Sequence, residues 1–122
     1  MNEKTILVIE DNDLNMKLIR TLLKLKNYRT IEAVDAETGI QLARKHHPDL
    51  ILMDIQLPGI DGLTATRVIK NDWAMKDIPV VALTGYAMPG DDEKVGDAGC
   101  VSYIAKPIDI KNFFKSIAQF LG

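Results

Sequence analysis

The chain has 122 residues, the length of one domain, and its 47% hydrophobic and 26% charged residues are the balance of a folded globular protein. A net charge of -2, with the 15 Lys and Arg residues dispersed and no basic block, argues against nucleic-acid binding by the chain alone. The single cysteine, Cys100, excludes an internal disulfide and reads as a small buried hydrophobe in a reducing compartment. The start Met1-Asn2-Glu3-Lys4 lacks the apolar core of a signal peptide and no run reaches a membrane span, so a cytoplasmic protein is expected.

In chain order, Thr5 to Ile9 reads as a first strand. Leu14, Leu18, Leu22 and Leu25, with Ile19 and Leu23, then recur at helical spacing and are expected to form one core-facing stripe. Tyr28 to Val34 predicts a second strand, and Ala36, Ile40 and Ala43 a second helix. Leu50 to Met53 is the third strand, followed by a helix through Leu63, Val68 and Ile69, and Val80 to Leu83 is the fourth. Pro89 to Gly99, with Gly90, Gly96 and Gly99, is the poorest helix candidate and is expected to be short or mobile. Val101 to Ala105 predicts the last strand, and Ile110, Phe113, Phe114, Ile117 and Leu121 mark the last helix.

Strands alternating with helices imply a parallel sheet covered on both faces, a doubly wound α/β fold. Right-handed crossovers leave few arrangements, and the flavodoxin-like order 2-1-3-4-5 suits a five-stranded chain this short. No linker or low-complexity tract interrupts it, so residues 1–122 are expected to be one domain with nothing attached.

In an open α/β sheet the crevice lies beyond the carboxyl ends of the strands, at the switch point between the first and third. Glu10 and Asp11 follow the first strand, Asp54 the third, Thr84 the fourth and Lys106 the fifth. The three carboxylates should meet there. Each pair at about 4 Å costs about 4 kcal/mol at an effective dielectric near 20, and either a proton or a cation relieves it. Oxygen ligands fit a hard ion such as Mg²⁺, and no His or Cys lies nearby in sequence to suggest zinc. His46 and His47 fall before Pro48 at a helix end and read as solvated. With Lys106 and Thr84 added, the set reads as a phosphoryl site: a carboxylate nucleophile, cations offsetting charge on the transferring oxygens, and a hydroxyl donating a hydrogen bond.

Four segments in order carry a resemblance: Ile6-Leu7-Val8-Ile9-Glu10-Asp11-Asn12, Asp49 through Gly59, Pro79-Val80-Val81-Ala82-Leu83-Thr84 and Tyr103-Ile104-Ala105-Lys106-Pro107. On these the chain resembles, over essentially its full length, the receiver domain of two-component response regulators. Asn15, Met16 and Lys17, with Asp54-Ile55-Gln56-Leu57-Pro58, look most like a free-standing receiver of cell-division control; receivers of hybrid histidine kinases carry similar strings. The resemblance implies a signalling domain rather than an enzyme, with Asp54 as phosphoacceptor. It also implies Asp11 as Mg²⁺ ligand, Glu10 acting mostly through water, and Gln56 lending its backbone carbonyl. Thr84 and Lys106 would bind phosphoryl oxygens, and the Lys106-Pro107 bond is expected to be cis. The donor would be a phosphohistidine on a histidine kinase or histidine phosphotransfer protein. Tyr103 matches the switch aromatic that turns inward as Thr84 moves, and a downstream protein would read the face of the fourth helix, fifth strand and fifth helix. Tyr86, two residues past Thr84, is expected with Gln56 to govern the lifetime of the acyl phosphate. Gly85 departs from the commonest pattern, in which a slightly larger small residue stands.

Other classes fit less well. An aspartyl-nucleophile phosphatase usually wants a carboxylate where Gln56 stands, and the chain has no room for a cap. A flavodoxin-like cofactor binder needs a Ser/Thr/Gly-rich phosphate loop after the first strand, where Glu10-Asp11-Asn12-Asp13 would repel a phosphate. A scaffold-only pseudo-receiver is disfavoured because every reactive position is filled.

Overall fold

Runs such as Leu50–Asp54 and Val80–Thr84 are buried at every position because both faces of the sheet are covered. In the computed structural model, which describes residues 3–85 and 91–121, strands β1 (Thr5–Ile9), β2 (Arg29–Ala33), β3 (Leu50–Asp54), β4 (Val80–Thr84) and β5 (Ser102–Ala105) alternate with helices. The helices are α1 (Asp13–Leu25), α2 (Ala36–His46), α3 (Gly62–Lys70), α4 (Asp91–Ala98) and α5 (Ile110–Leu121). All strand pairs are parallel and the order is β2-β1-β3-β4-β5, as expected from sequence. The edge strands β2 and β5 are partly exposed along much of their length.

Because side chains alternate along a strand, the core divides in two. Leu7, Ile9, Ile51, Met53, Val80 and Ala82 pack with Ile40 of α2, Ile69 of α3 and Val95 of α4. Ile6, Val8, Leu50, Leu52, Val81, Leu83 and Ile104 pack with Ile19 and Leu23 of α1 and Phe113 and Ile117 of α5. Four helices start on an acid or amide cap: Asn12, Asp35, Asp61 and Asp109 accept backbone N–H bonds of 2.7–3.0 Å from Asn15, Thr38, Thr64 and Asn112. Each such cap is worth about 1 kcal/mol.

Helix α1 departs from its predicted packing. Its buried face is Met16, Ile19, Leu22 and Leu23, whereas Leu14 and Leu25 are 78% and 69% exposed and Leu18 38%. At 100° per residue, positions 14, 18 and 25 fall on a second stripe, turned away from the sheet. Val68 of α3 and Ile110 of α5 are likewise exposed, since Ala65, Thr66 and Ile69 and then Phe113 and Ile117 face the core instead. Helix α4 is short, as expected; Pro89 and Gly90 lie outside the described residues. Among the described residues no helix is long and apolar enough to cross a membrane.

Candidate functional site

Alternation also places the chemistry. Glu10 continues the series Ile6, Val8, Asp54 the series Leu50, Leu52, and Lys106 follows Ile104, so all three belong to the α1/α5 side of the carboxyl edge. Thr84 continues Val80, Ala82 on the other side. The register Ile9 opposite Met53 brings Glu10 beside Asp54. Glu10, Asp54 and Thr84 are buried, while Asp11, one residue past Glu10, is exposed. Carboxylate oxygens of Glu10, Asp11 and Asp54 lie within 4.8 Å of one another, so the three acids do meet.

Lys106 closes the cluster. Its Nζ donates to Glu10 Oε1 at 2.7 Å and to Asp54 Oδ2 at 3.2 Å, and its backbone N–H donates to the Thr84 carbonyl at 2.7 Å. The Lys106-Pro107 peptide is cis, as the resemblance implied. The other Asp54 oxygen, Oδ1, accepts the Gln56 backbone N–H at 2.9 Å, so the carboxylate is gripped at both oxygens. Burial lowers the charged form of Lys106, but its bond to Glu10 and the field of Asp54 outweigh this and hold its pKa above the ordinary lysine value. The Glu10 pKa is raised as well, which for a carboxyl disfavours the charged form: burial and the neighbouring Asp54 push it up to about 7, against the opposing pull of Lys106.

The donor set suits a hard divalent cation. It is all oxygen, and Glu10 Oε2 is buried without a hydrogen-bond partner among the described residues, which a cation or its bound water would satisfy. One ammonium against three carboxylates leaves the cleft acidic. Such a cleft can hold a cation and then bring a carboxylate oxygen, now offset in charge, to an incoming phosphoryl group.

Of the other expected site residues, Gln56 is exposed beside Asp54 and Tyr103 is 43% exposed on β5. Tyr103 lines a cavity of about 380 Å³ with Pro107, Asn112 and Ser116. Tyr86 lies outside the described residues. His46 ends α2 and His47 caps it in the left-handed conformation, both exposed. Cys100 is buried, with Sγ 3.7 Å from Thr66 Oγ1. Sequence reasoning missed Gly62, which packs on the backbone of Asp54 and Ile55. An Asp-Gly pair such as Asp61-Gly62 is a turn signal and carries no sign of that contact.

Residues 6–118 match the family described as response regulator receiver domain. The chain is 47% identical over 119 residues to the polar-differentiation response regulator DivK of Brucella ovis, covering 98% of this chain and 97% of that protein. It superimposes with a TM-score of 0.91 and 33% identity on the receiver domain of sensor histidine kinase PA1611 from Pseudomonas aeruginosa, 99% of each chain being covered. That structure has a magnesium ion coordinated in its active-site cleft. The receiver domain of Saccharomyces cerevisiae Ssk1, solved with the histidine phosphotransfer protein Ypd1, shares the fold at a TM-score of 0.88 and 23% identity, with 97% of this chain and 88% of that chain covered. With a five-stranded parallel sheet of order 2-1-3-4-5 and this likeness along nearly its whole length, the chain belongs to the response-regulator receiver family.

Proposed function

We propose that this receiver takes a phosphoryl group from a phosphohistidine onto Asp54, with Mg²⁺ held by Asp11, Asp54, the Gln56 carbonyl and, largely through water, Glu10. The observation that carries the reading is the Lys106 ammonium shared between Glu10 and Asp54, with Asp11 completing the acidic cluster. An Asp54 oxygen attacks phosphorus, the bond from phosphorus to the donor imidazole breaks, and the imidazole departs with a proton. Lys106 then exchanges a carboxylate for phosphoryl oxygens, Thr84 offers its hydroxyl, and the Gln56 N–H keeps the acceptor carboxylate aligned. Bound Mg²⁺ supplies charge neutralisation for the transferring oxygens.

The new group brings roughly -1.5 to -2 charge, and reversing a 1:99 population needs about 5.5 kcal/mol of preference. The Thr84 bond and the Lys106 pair are the sources, and Tyr103 with α4 and α5 is the responding element. Tyr103 is already half out over a cavity it could leave. The donor protein docks on the exposed Leu14, Leu18 and Leu25 of α1, which starts at the site. The 47% identity with DivK, over 97% of that protein, supports a regulator of that type. Incubation with acetyl phosphate and Mg²⁺, read by intact mass, should give a phosphorylated wild type and unmodified Asp54→Asn. Equal modification of both proteins would refute the assignment, as would an unmodified wild type.

A further inference from the structure

Gly62 opens α3, and a Cβ built there would stand 2.2 Å from the Asp54 carbonyl oxygen and 2.6 Å from Ile55 Cα. Both neighbours are backbone, so no side chain can swing away. Gly59, three residues earlier, is glycine for a different reason: its φ is +76° and nothing lies within 4 Å of its missing Cβ. Gly62 is glycine because the first turn of α3 lies directly on the chain that carries the phosphoacceptor.

We propose that Gly62 is a positioning residue for phosphoryl acceptance: its missing side chain lets α3 clamp the Asp54–Gln56 backbone and so set the acceptor carboxylate. The inference rests on Asp54 being the acceptor. The clamp is two-sided. The Gly62 N–H donates to the Ile55 carbonyl at 3.3 Å, and the Ile55 N–H donates to Leu83 of β4 at 3.1 Å. The next amide, Gln56, holds Asp54 Oδ1 at 2.9 Å.

An added methyl would force a retreat on the order of 1 Å to restore contact distance, and the structure decides which side yields. Helix α3 is anchored: Ala65, Thr66 and Ile69 have no exposed surface, and Thr66 Oγ1 donates back to the Gly62 carbonyl at 2.8 Å. The segment after Asp54 is looser, with Ile55 half-buried and Gln56, Pro58 and Gly59 exposed. The displacement therefore falls on residues 54–56. Misplacing reacting atoms by about 1 Å costs on the order of 10²-fold in rate.

The test compares wild type, Gly62→Ala, Asp61→Ala and Ile69→Val, all at a temperature where each is folded. Phosphorylation by acetyl phosphate, Mg²⁺ affinity and the metal-free amide NMR signals of Ile55 and Gln56 are read. Gly62→Ala should phosphorylate about 10²-fold more slowly, bind Mg²⁺ more weakly and shift both amides without metal. Ile69→Val, on the same helix, should lose stability and change none of the three. Asp61→Ala frees the start of α3 without adding an atom and should shift the same two amides, which covers the case in which Gly62→Ala does not fold. A Gly62→Ala protein with wild-type amides and rate would overturn the proposal, as would unmoved amides in Asp61→Ala or an equal slowing in Ile69→Val. A wild type that takes no phosphoryl group would instead remove the Asp54 reading, and this inference with it.

Discussion

Replacing Glu10 by glutamine should remove a pH dependence that the metal-free protein otherwise carries. Glu10 is fully buried and its pKa is pushed up to about 7, first by burial and then by its contact with Asp54. In the unfolded chain the same carboxyl titrates near 4.5. The folded state thus holds the proton more tightly, and the stabilisation is complete below the unfolded pKa and is lost as pH rises through the folded one. At 1.36 kcal/mol per pKa unit, metal-free wild type should lose about 3 kcal/mol between pH 4.5 and 7.5, or about 10 °C in Tm for a domain of this size. Lys106, raised in pKa, titrates far above this window. Glu32, Asp35 and Asp72, all lowered, lose their contributions below it. Glu10→Gln mimics the neutral carboxyl, so it should approach wild type at about pH 4 and exceed it increasingly up to pH 8. Urea unfolding in EDTA at half-unit pH steps measures both curves. A flat wild-type curve across pH 5 to 8, or a parallel slope in Glu10→Gln, would refute the reasoning.

Three further outcomes follow from the packing. Glutamates at both Leu14 and Leu18, exposed on α1, should change stability by no more than about 0.5 kcal/mol each. They should slow transfer from a phosphohistidine protein at least tenfold while leaving the acetyl phosphate reaction unchanged, as comparison of the two donors in one assay would show. Phe113→Ala removes a side chain with no exposed surface between α5 and the sheet and should cost about 3–5 kcal/mol by urea unfolding. Cys100 is buried and its thiol is pushed up by burial, so a thiol reagent should label it only as fast as the protein unfolds.

The sheet was legible because β1, β3 and β4 are short apolar runs closed by polar residues, and because crossover handedness leaves few orders for five such strands. The acids and Lys106 were legible for the same reason: each stands at the end of a recognisable strand. Helix α1 was not. It carries apolar residues on two stripes, and nothing in a single sequence says that neighbouring elements cover only the one through Met16, Ile19 and Leu23. The state of Glu10 was equally hidden, since a pKa depends on burial and on partners 44 and 96 residues away. Gly62 drew no reading from the sequence because a contact with the Asp54 backbone has no local signature.

The two stripes of α1 give the helix two tasks that one stripe could not perform. Its inner face, through Ile19 and Leu23, packs against the sheet and fixes where the helix begins. That beginning is held by the Asn12 cap, one residue past Asp11. The outer stripe runs from Leu14 to Leu25, about 16 Å along the axis, and its first leucine stands three residues from Asp11. A helical partner laid along this stripe would therefore be registered against the acidic cluster of the site by the same turn that caps α1. On the proposed reading, docking and chemistry share one rigid reference. On that reading it is contact with the leucines that brings the donor's imidazole to the acidic cleft. The position of Asn12 matters for the same reason: an Asn12→Ala protein with a frayed first turn should transfer more slowly from a phosphohistidine protein than from acetyl phosphate, whereas equal slowing with both donors would place the effect in the site itself.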